Sequence, residues 1–432
     1  MKGFFRSQSP ARLTALGFAV LILAGSVLLI LPCSVKNGAE LKYIDALYTS
    51  TSAVCVTGLI SADAGDTFTP LGQFFLALLI QVGGLGVTSI GAGVILAMGK
   101  KIDLKGRSLI REASNLNSDS GVIRFLKSVL LTTLIFELTG AVLSFPVFVR
   151  DYSPLKAAGI SLFHSVAAFN NSGFDILGNY QNLIPYRDSA ALNLVTCGLI
   201  FFGGIGFLVI QEMCKYKFGF KKYSMHSKVV ISVSIALIVA GTVLLKLTEN
   251  ISWLGALFHS VSARTAGFST YPLGEFSNAG ITVLAVLMFI GASSGSTGGG
   301  IKTSTFFVLL QGIKSAAVNR TEKAFHNSIP KDAFRKASVI TLLAAAVVAV
   351  GTWIMSAAEP AIPLRDIVFE VISAFGTVGL STGITSGLGI PAKLLSIAIM
   401  FIGRLGPLTV ATLWHFGRAE RVSFPEGNIS IG

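Results

Sequence analysis

Four times along this chain a short apolar segment runs into a glycine. The stretches are Ala53-Val-Cys-Val-Thr-Gly58-Leu59, Ala168-Phe-Asn-Asn-Ser-Gly173-Phe174, Ser262-Ala-Arg-Thr-Ala-Gly267-Phe268 and Ala374-Phe-Gly-Thr-Val-Gly379-Leu380. Their glycines lie 115, 94 and 112 residues apart, close to a quarter of the 432-residue chain. A second marker keeps the same register: Gln81-Val-Gly83-Gly-Leu-Gly86, Phe201-Phe-Gly203-Gly-Ile-Gly206, Phe289-Ile-Gly291-Ala-Ser-Ser and Phe401-Ile-Gly403-Arg-Leu-Gly406. These glycines follow the first set by 25, 30, 24 and 24 residues. Two markers agreeing in four copies constrain the chain to fold as four like units. With all copies in one orientation the repeats are parallel, and parallel fourfold repetition encloses a central axis.

The surroundings of those units are membrane-like. Only 13% of residues are charged, against roughly a quarter in soluble domains, and mean hydropathy is +0.72. Apolar runs long enough to cross about 30 Å of hydrocarbon occur at Ala15–Leu31, Leu71–Met98, Val122–Val149, Ala190–Met213, Val229–Leu247, Ile281–Leu310, Ala337–Ala357 and Leu394–Phe416. Shorter stretches end at the first-set glycines: Ile44–Gly58, Gly159–Gly173, Trp253–Gly267 and Ile367–Gly379. They are too short to cross and suit re-entrant helices. The expected fold is all-α and integral to the membrane, with four parallel span, re-entrant helix, span repeats around a pseudo-fourfold pore. The repeats divide at 1–98, 99–213, 214–313 and 314–432.

The formal charge of +13 does not point to nucleic acid, because its distribution follows the repeats. Basic residues gather between quarters: Lys100, Lys101, Lys105, Arg107 and Arg111; Lys215, Lys217, Lys221, Lys222 and Lys228; Lys314, Arg320, Lys323, Lys331, Arg335 and Lys336. The positive-inside rule makes these loops and both termini cytoplasmic, the latter carrying Lys2, Arg6, Arg12, Arg418 and Arg421. The protein is expected to cross its membrane several times. Acids collect on the opposite side, among them Asp45, Asp63, Asp66, Asp175, Glu249, Glu359, Asp366 and Glu370. They either form a cation-concentrating vestibule or are left there by translocation. Cys33, Cys55, Cys197 and Cys214 are scattered, without metal-ligand spacing or a disulfide framework. The first apolar run is longer than a signal-peptide core, lacks an Ala-x-Ala exit and reads as a retained span.

A pore of this design removes water from an ion by offering backbone carbonyls. Turning carbonyls inward needs backbone regions that glycine reaches cheaply. The expected ion-binding positions are Cys55, Val56, Thr57 and Gly58; Asn170, Asn171, Ser172 and Gly173; Thr265, Ala266 and Gly267; and Thr377, Val378 and Gly379. The second-set glycines, Gly83, Gly84, Gly86, Gly203, Gly204 and Gly206, are expected to let helices pack closely.

The third closing span departs from the others. Its centre reads Gly291-Ala-Ser-Ser-Gly295-Ser-Thr-Gly298-Gly299-Gly300-Ile-Lys302, which a continuous helix tolerates poorly. Unwound backbone at membrane depth must be buried in protein or line water. A loop beneath the four glycines, acting as a gate, is the expected form, with only this closing span broken. A phosphate-binding P-loop is disfavoured because Ile301 intervenes before Lys302 and no strand precedes it. Arg404 stands where the other repeats have Gly84, Gly204 and Ala292, and an intramembrane cation is a functional hypothesis by default. It is assigned to an electrostatic barrier with the gate loop, the alternative being that it caps carbonyls of a neighbouring re-entrant helix. Lys302 either holds the loop or points to the cytoplasm. Glu137 is expected to join helices, Arg264 to brace the third loop from behind, and His164 and His259 to open two re-entrant helices with structural hydrogen bonds. No Ser/His/Asp or paired-carboxylate arrangement suggests an enzyme.

Ser52-Ala-Val-Cys-Val-Thr-Gly-Leu59, Ile80-Gln-Val-Gly-Gly-Leu-Gly86, Arg264-Thr-Ala-Gly-Phe268, Ser296-Thr-Gly-Gly-Gly-Ile-Lys302 and Phe401-Ile-Gly-Arg-Leu-Gly-Pro-Leu408 resemble the Trk/Ktr/HKT superfamily of potassium transporters. Thr377-Val378-Gly379 also matches the start of the potassium-channel filter triplet. Length and the ending Phe424-Pro-Glu-Gly-Asn-Ile-Ser-Ile-Gly432 resemble the KtrB-type membrane subunits most closely. The resemblance implies potassium uptake across a bacterial plasma membrane, stimulated by sodium, with no organic cofactor on this chain. It also implies a homodimer with one pore per subunit and the C-terminal tail near the dimer contact. A cytoplasmic KtrA-type ring binding ATP or ADP would be the regulatory partner. In plant relatives a serine in the first loop accompanies sodium transport, so Gly58 implies potassium preference. A Trk-type ion-coupled transporter is the alternative, and a secondary carrier for an organic solute fits less well because such carriers show inverted repeats.

Overall fold

The computed structural model describes residues 10–97, 121–217, 219–319, 321–330 and 332–413. The basic cluster at 100–111, Lys2, Arg6, Arg320, Lys331, Arg418, Arg421 and the tail 424–432 lie outside the described residues. Apart from one two-stranded hairpin, Lys323–Ala324 with Asn327–Ser328, the described elements are helices arranged in four successive groups.

Each group opens with a long apolar helix: α1 (Pro10–Ile30), α6 (Val122–Phe148), α10 (Met225–Thr248) and α14 (Asp332–Ala358). These four helices are each long and apolar enough to cross a membrane. Their outer surfaces stay apolar, with Val142 70% and Leu342 70% exposed, as a surface solvated by lipid tails permits.

A shorter helix follows: α2 (Tyr43–Val54), α7 (Pro154–Phe169), α11 (Trp253–Ser262) and α15 (Leu364–Gly376). At about 1.5 Å per residue none can span the hydrocarbon. Three of them are tied to their opening helix by a serine that reaches a backbone carbonyl: Ser50 to Ile22 (2.7 Å), Ser165 to Glu137 (2.6 Å) and Ser260 to Ile238 (2.8 Å). The facing positions are Gly25, Gly140 and Gly241, where a Cβ would collide with those hydroxyls. His164 and His259 lie within α7 and α11 rather than at their starts. His164 Nε2 is 2.9 Å from Thr196 Oγ1, and His259 Nδ1 is 2.9 Å from the Gly255 carbonyl, so both have the structural partners expected of them.

The closing segments correct the sequence reading. All four are broken, not only the third. After the one-turn α3 (Ala64–Thr67), α4 (Pro70–Leu85) and α5 (Val87–Ala97) meet at Gly86, as do α8 (Ala190–Ile205) and α9 (Phe207–Tyr216) at Gly206, and α16 (Ile390–Leu405) and α17 (Pro407–Thr412) at Gly406. In the third group α12 (Asn278–Phe289) and α13 (Thr303–Val318) are separated by thirteen residues, 290–302. The three glycines share one conformation, with φ 86, 93 and 89° and ψ 136, 143 and 137°. Residues with a Cβ avoid that region, so a helix reaching such a glycine stops and restarts in a new direction. α8 and α9 diverge by 103°. Gly86 is therefore a helix breaker rather than a packing glycine, and Gly206 is both, since a Cβ there would meet the Ser294 carbonyl; Gly83 and Gly203 pack, a Cβ there striking the Val54 and Phe169 carbonyls at the ends of α2 and α7.

The seams between groups are laced unequally. The fourth and first are joined by a largely buried ion pair, Lys393 Nζ to Asp45 Oδ1 at 2.7 Å, and by Tyr48 and Ser396 hydroxyls 3.0 Å apart. Lys393→Met should strand a poorly solvated carboxylate and lower stability by about 3–5 kcal/mol. Thermal unfolding in detergent checks this, and the double variant K393M/D45L should recover most of the loss.

Candidate ion-binding ring

Every short helix ends in the same backbone turn. Val56, Asn171, Thr265 and Thr377 have φ of 57, 57, 86 and 49°, and the glycines two residues on, Gly58, Gly173, Gly267 and Gly379, have φ of 91, 70, 79 and 96°. Left-handed φ at alternate positions leaves the intervening residue in ordinary backbone. Such alternation can turn successive carbonyls toward one side, where an unconstrained strand would alternate them. Four non-glycine residues held at positive φ cost free energy, of order 1–3 kcal/mol each, so the surroundings must impose them.

Part of the imposition is visible. In the first and fourth loops a helix serine accepts the glycine amide: Gly58 N donates to Ser52 Oγ and Gly379 N to Ser373 Oγ, both at 3.0 Å. Backbone bonds precede them, Thr57 N to Ser52 O at 2.7 Å and Val378 N to Ser373 O at 2.9 Å. Ser373→Ala leaves the Gly379 amide buried without this acceptor, a loss of about 1–3 kcal/mol. Unfolding temperature should fall accordingly, and hydrogen exchange at Gly379 should accelerate. These serines went unmarked in the sequence because a small polar residue near a helix end has many uses.

The four glycines close into a ring in chain order. A Cβ on Gly58 would collide with the Ser172 carbonyl and Gly173 Cα, and one on Gly173 with the Ala266 carbonyl and Gly267 Cα. One on Gly267 would meet the Val378 carbonyl and Gly379 Cα, and one on Gly379 the Thr57 carbonyl and Gly58 Cα. The expected residues thus come together from positions more than 300 apart in the chain. Cys55, Val56, Thr57, Asn170, Asn171, Ser172, Thr265, Ala266, Thr377 and Val378 are all buried. The ring is not fourfold identical, since Asn182 Nδ2 donates to the Gly173 carbonyl at 3.2 Å.

A cavity of about 310 Å³ lies on one side of the ring, lined by Gly58, Gly267 and Gly379 with Asp175, Tyr180 and Ser381 among others. Of the acids expected there, Asp175 alone lines it. The others are occupied in stapling loops and helix ends. Asp63 accepts from Asp66 N and Tyr180 N, Asp66 from Asn179 N, Glu249 from Ser277, and Glu359 from Gly389 N. Glu370 accepts from Thr385 and Ser381. Asp175 is tied as well, Oδ1 accepting from Leu177 N and Oδ2 from Asn182 Nδ2, both at 3.0 Å, so the cavity wall holds one acid of the expected set, itself hydrogen-bonded.

Segment 290–302 packs against the ring loops. A Cβ on Gly298 would collide with Thr265 Oγ1, one on Gly299 with Thr377 Oγ1, and one on Gly291 with the Gly299 carbonyl. The segment is tied to the second group: Ser293 N donates to Gly204 O at 3.0 Å and Phe207 N to Gly295 O at 3.1 Å. Gly300 has φ of 68° and Gly295 72°. Lys302 turns back on the segment, its Nζ donating to Gly298 O at 2.7 Å, rather than leaving it. Arg404 donates to Thr297 O in the segment and to the Gly83 and Gly84 carbonyls. Those two carbonyls are freed by the break at Gly86, so the guanidinium caps a helix end while holding the segment. Arg264 reaches Ser234 O and Gly291 O, both at 3.4 Å. Glu137 joins elements, accepting from Asn170 Nδ2 at 3.0 Å, the same amide that donates to Gln81 at 2.9 Å.

Comparison with known proteins decides the family. The TrkH family, described as cation transport protein, matches residues 16–232 and 227–417. The chain belongs to the TrkH cation transport family. That makes it a transporter and not an enzyme. It is 37% identical to the potassium/sodium uptake protein NtpJ of Enterococcus hirae, with 98% of this chain and 97% of that one covered. It is likewise 37% identical to the Ktr system potassium uptake protein B of Bacillus subtilis, over 98% and 97% of the two chains. The solved structure of the potassium transporter TrkH from Vibrio parahaemolyticus superposes with a TM-score of 0.74 at 20% identity, covering 95% of this chain and 86% of that one. The likeness confirms the all-helical membrane-transporter fold.

Proposed function

We propose that this chain is the membrane subunit of a potassium uptake system, conducting potassium through the ring formed by Gly58, Gly173, Gly267 and Gly379. The observation that carries the reading is the closed contact order of those glycines, each against the carbonyl preceding the next. Carbonyls of Thr57, Ser172, Ala266 and Val378 replace the hydration shell of a potassium ion, and Asp175 receives cations at the mouth. The four quarters, 1–98, 99–213, 214–313 and 314–432, each contribute one wall. Segment 291–300, held by Arg404 and Lys302, acts as the gate. A membrane potential supplies about 2.3 kcal/mol per charge per 100 mV, enough to drive accumulation. The names of the relatives support potassium as cargo and a multi-component Ktr system as the setting. Sodium stimulation, a homodimer and a nucleotide-binding KtrA-type ring on the basic face belong to the same proposal.

The test is rubidium uptake and growth on low potassium in bacteria deprived of their own potassium uptake systems, with and without sodium and with and without a KtrA-type ring. Saturable uptake, raised by sodium and by the ring, is expected. Membrane-inserted protein that transports no rubidium even with the ring would overturn the reading.

A further inference from the structure

Asn182 clasps the second and third loops of the ring together. Its Nδ2 donates to the Gly173 carbonyl at 3.2 Å and to Asp175 Oδ2 at 3.0 Å. Its Oδ1 accepts from Leu183 N and from Ser269 N, both at 3.0 Å. Ser269 stands two residues beyond Gly267, and its own carbonyl accepts from Leu183 N at 3.1 Å. A carboxamide with both hydrogens on acceptors and its oxygen on two amide donors has one orientation. Nδ2 therefore faces the Gly173 carbonyl and cannot trade places with Oδ1.

The clasp is held in a strained loop. Asn182 sits at φ 49°, with Asn179 at 59° and Tyr180 at 52°, left-handed conformations that the surroundings must impose. Asp63 and Asp66, the cap and the third residue of α3 in the first group, do so. Tyr180 N donates to Asp63 Oδ2 and Asn179 N to Asp66 Oδ2, both at 2.7 Å. Three of the four groups thus fix the position of one amide.

Its effect falls on one quarter of the ring. Among the described residues the carbonyls of Gly58, Gly267 and Gly379 accept no hydrogen bond, whereas that of Gly173 does. The cavity at the mouth repeats the difference. Gly58, Gly267 and Gly379 line it, and the second quarter presents Asp175 and Asn182 there in place of Gly173.

We infer that Asn182 is a specificity-determining residue of the proposed potassium path, a positioning group that acts through the Gly173 carbonyl. A cation entering from the cavity meets three free glycine carbonyls and keeps water in the fourth place. Discrimination against sodium depends on the number of coordinating carbonyls and on how far they can move. A smaller ion needs closer oxygens, and a carbonyl tied to Asn182 does not lean in to supply one. Asp175 serves the clasp by accepting the second amide hydrogen. The inference rests on the ring reading above and adds to it the residue that restrains one of its carbonyls.

Two variants of the full chain test it, by rubidium uptake in bacteria deprived of their own potassium uptake systems. The readout is the ratio of the sodium to the potassium concentration that halves uptake, which does not depend on how much protein is inserted. Asn182→Asp keeps an acceptor for Ser269 N and Leu183 N but turns an oxygen toward the Gly173 carbonyl, and the ratio should fall at least fivefold. The exchange N182D/D175N preserves the charge and restores a hydrogen bond between the two side chains. It should recover the unfolding temperature lost in Asn182→Asp, while the ratio stays at least fivefold low because the Gly173 carbonyl still lacks its donor. Recovery of the ratio together with the unfolding temperature would overturn the inference, since Asn182 would then only brace its loop. An unchanged ratio in both variants, with Gly58→Ser shifting it, would overturn the inference and leave the ring standing. An unchanged ratio in all three would overturn the ring reading and the inference with it.

Discussion

Gly58→Ser is expected to lower apparent potassium affinity at least tenfold and to admit sodium, with the protein still reaching the membrane. Two costs coincide at that position. The backbone sits at φ 91°, where a side chain is strained, and the new Cβ meets the Ser172 carbonyl, a backbone atom that cannot rotate aside. The ring must open locally, which moves at least one carbonyl away from a potassium ion, and size selectivity depends on all of them. Rubidium uptake competed by potassium and by sodium gives both numbers. An unchanged competition profile would contradict the assignment of this ring. Gly267→Ser should behave alike, because its contact with Val378 and Gly379 is equivalent.

Deleting Gly298–Gly300 should raise rubidium flux several-fold. The deleted residues press on Thr265 and Thr377 from the ring's underside, and their carbonyls at 298 and 299 are the acceptors for Lys302. Without them the segment is too short to reach both threonines, and Arg404 retains its bonds to Gly83 and Gly84. Flux into proteoliposomes, normalised to inserted protein, measures the effect. Loss of transport in protein with an unaltered unfolding temperature would show that the segment supports the ring instead of closing it.

Much of this arrangement is legible in the residues, for a definite reason. The ring needs glycine at one point in every quarter, and nothing else satisfies both the positive φ and the close approach of the next loop. The spacing of four glycines therefore survives as a visible period. The breaks at Gly86, Gly206 and Gly406 were not legible. In sequence they stand beside Gly83, Gly203 and Gly403, and all six look like packing glycines. What separates them is backbone torsion: a Cβ on Gly83 would strike the Val54 carbonyl, while one on Gly86 would meet nothing within 4 Å, so Gly86 matters through its φ. The breaks also weaken one exclusion, since broken closing segments no longer distinguish this chain from a carrier; the parallel order of the groups still does.

The acids show the opposite limit. Charge distribution places them on one side but cannot tell a solvated carboxylate from one that accepts backbone amides, as Asp63 and Asp66 do. In the sequence Arg404 stands out as a charge needing a reason. Its partners were not visible, because the carbonyls of Gly83 and Gly84 become acceptors only once Gly86 ends the helix.

The most direct measurement of the central claim is the position of a heavy potassium analogue. Crystals or cryo-electron microscopy samples of the protein in rubidium or thallium should show ion density on the axis of the four glycines, level with the carbonyls of Thr57, Ser172, Ala266 and Val378. The density should be lost in Gly58→Ser. Ion density elsewhere in the protein, with none inside the ring at concentrations that saturate uptake, would contradict the account.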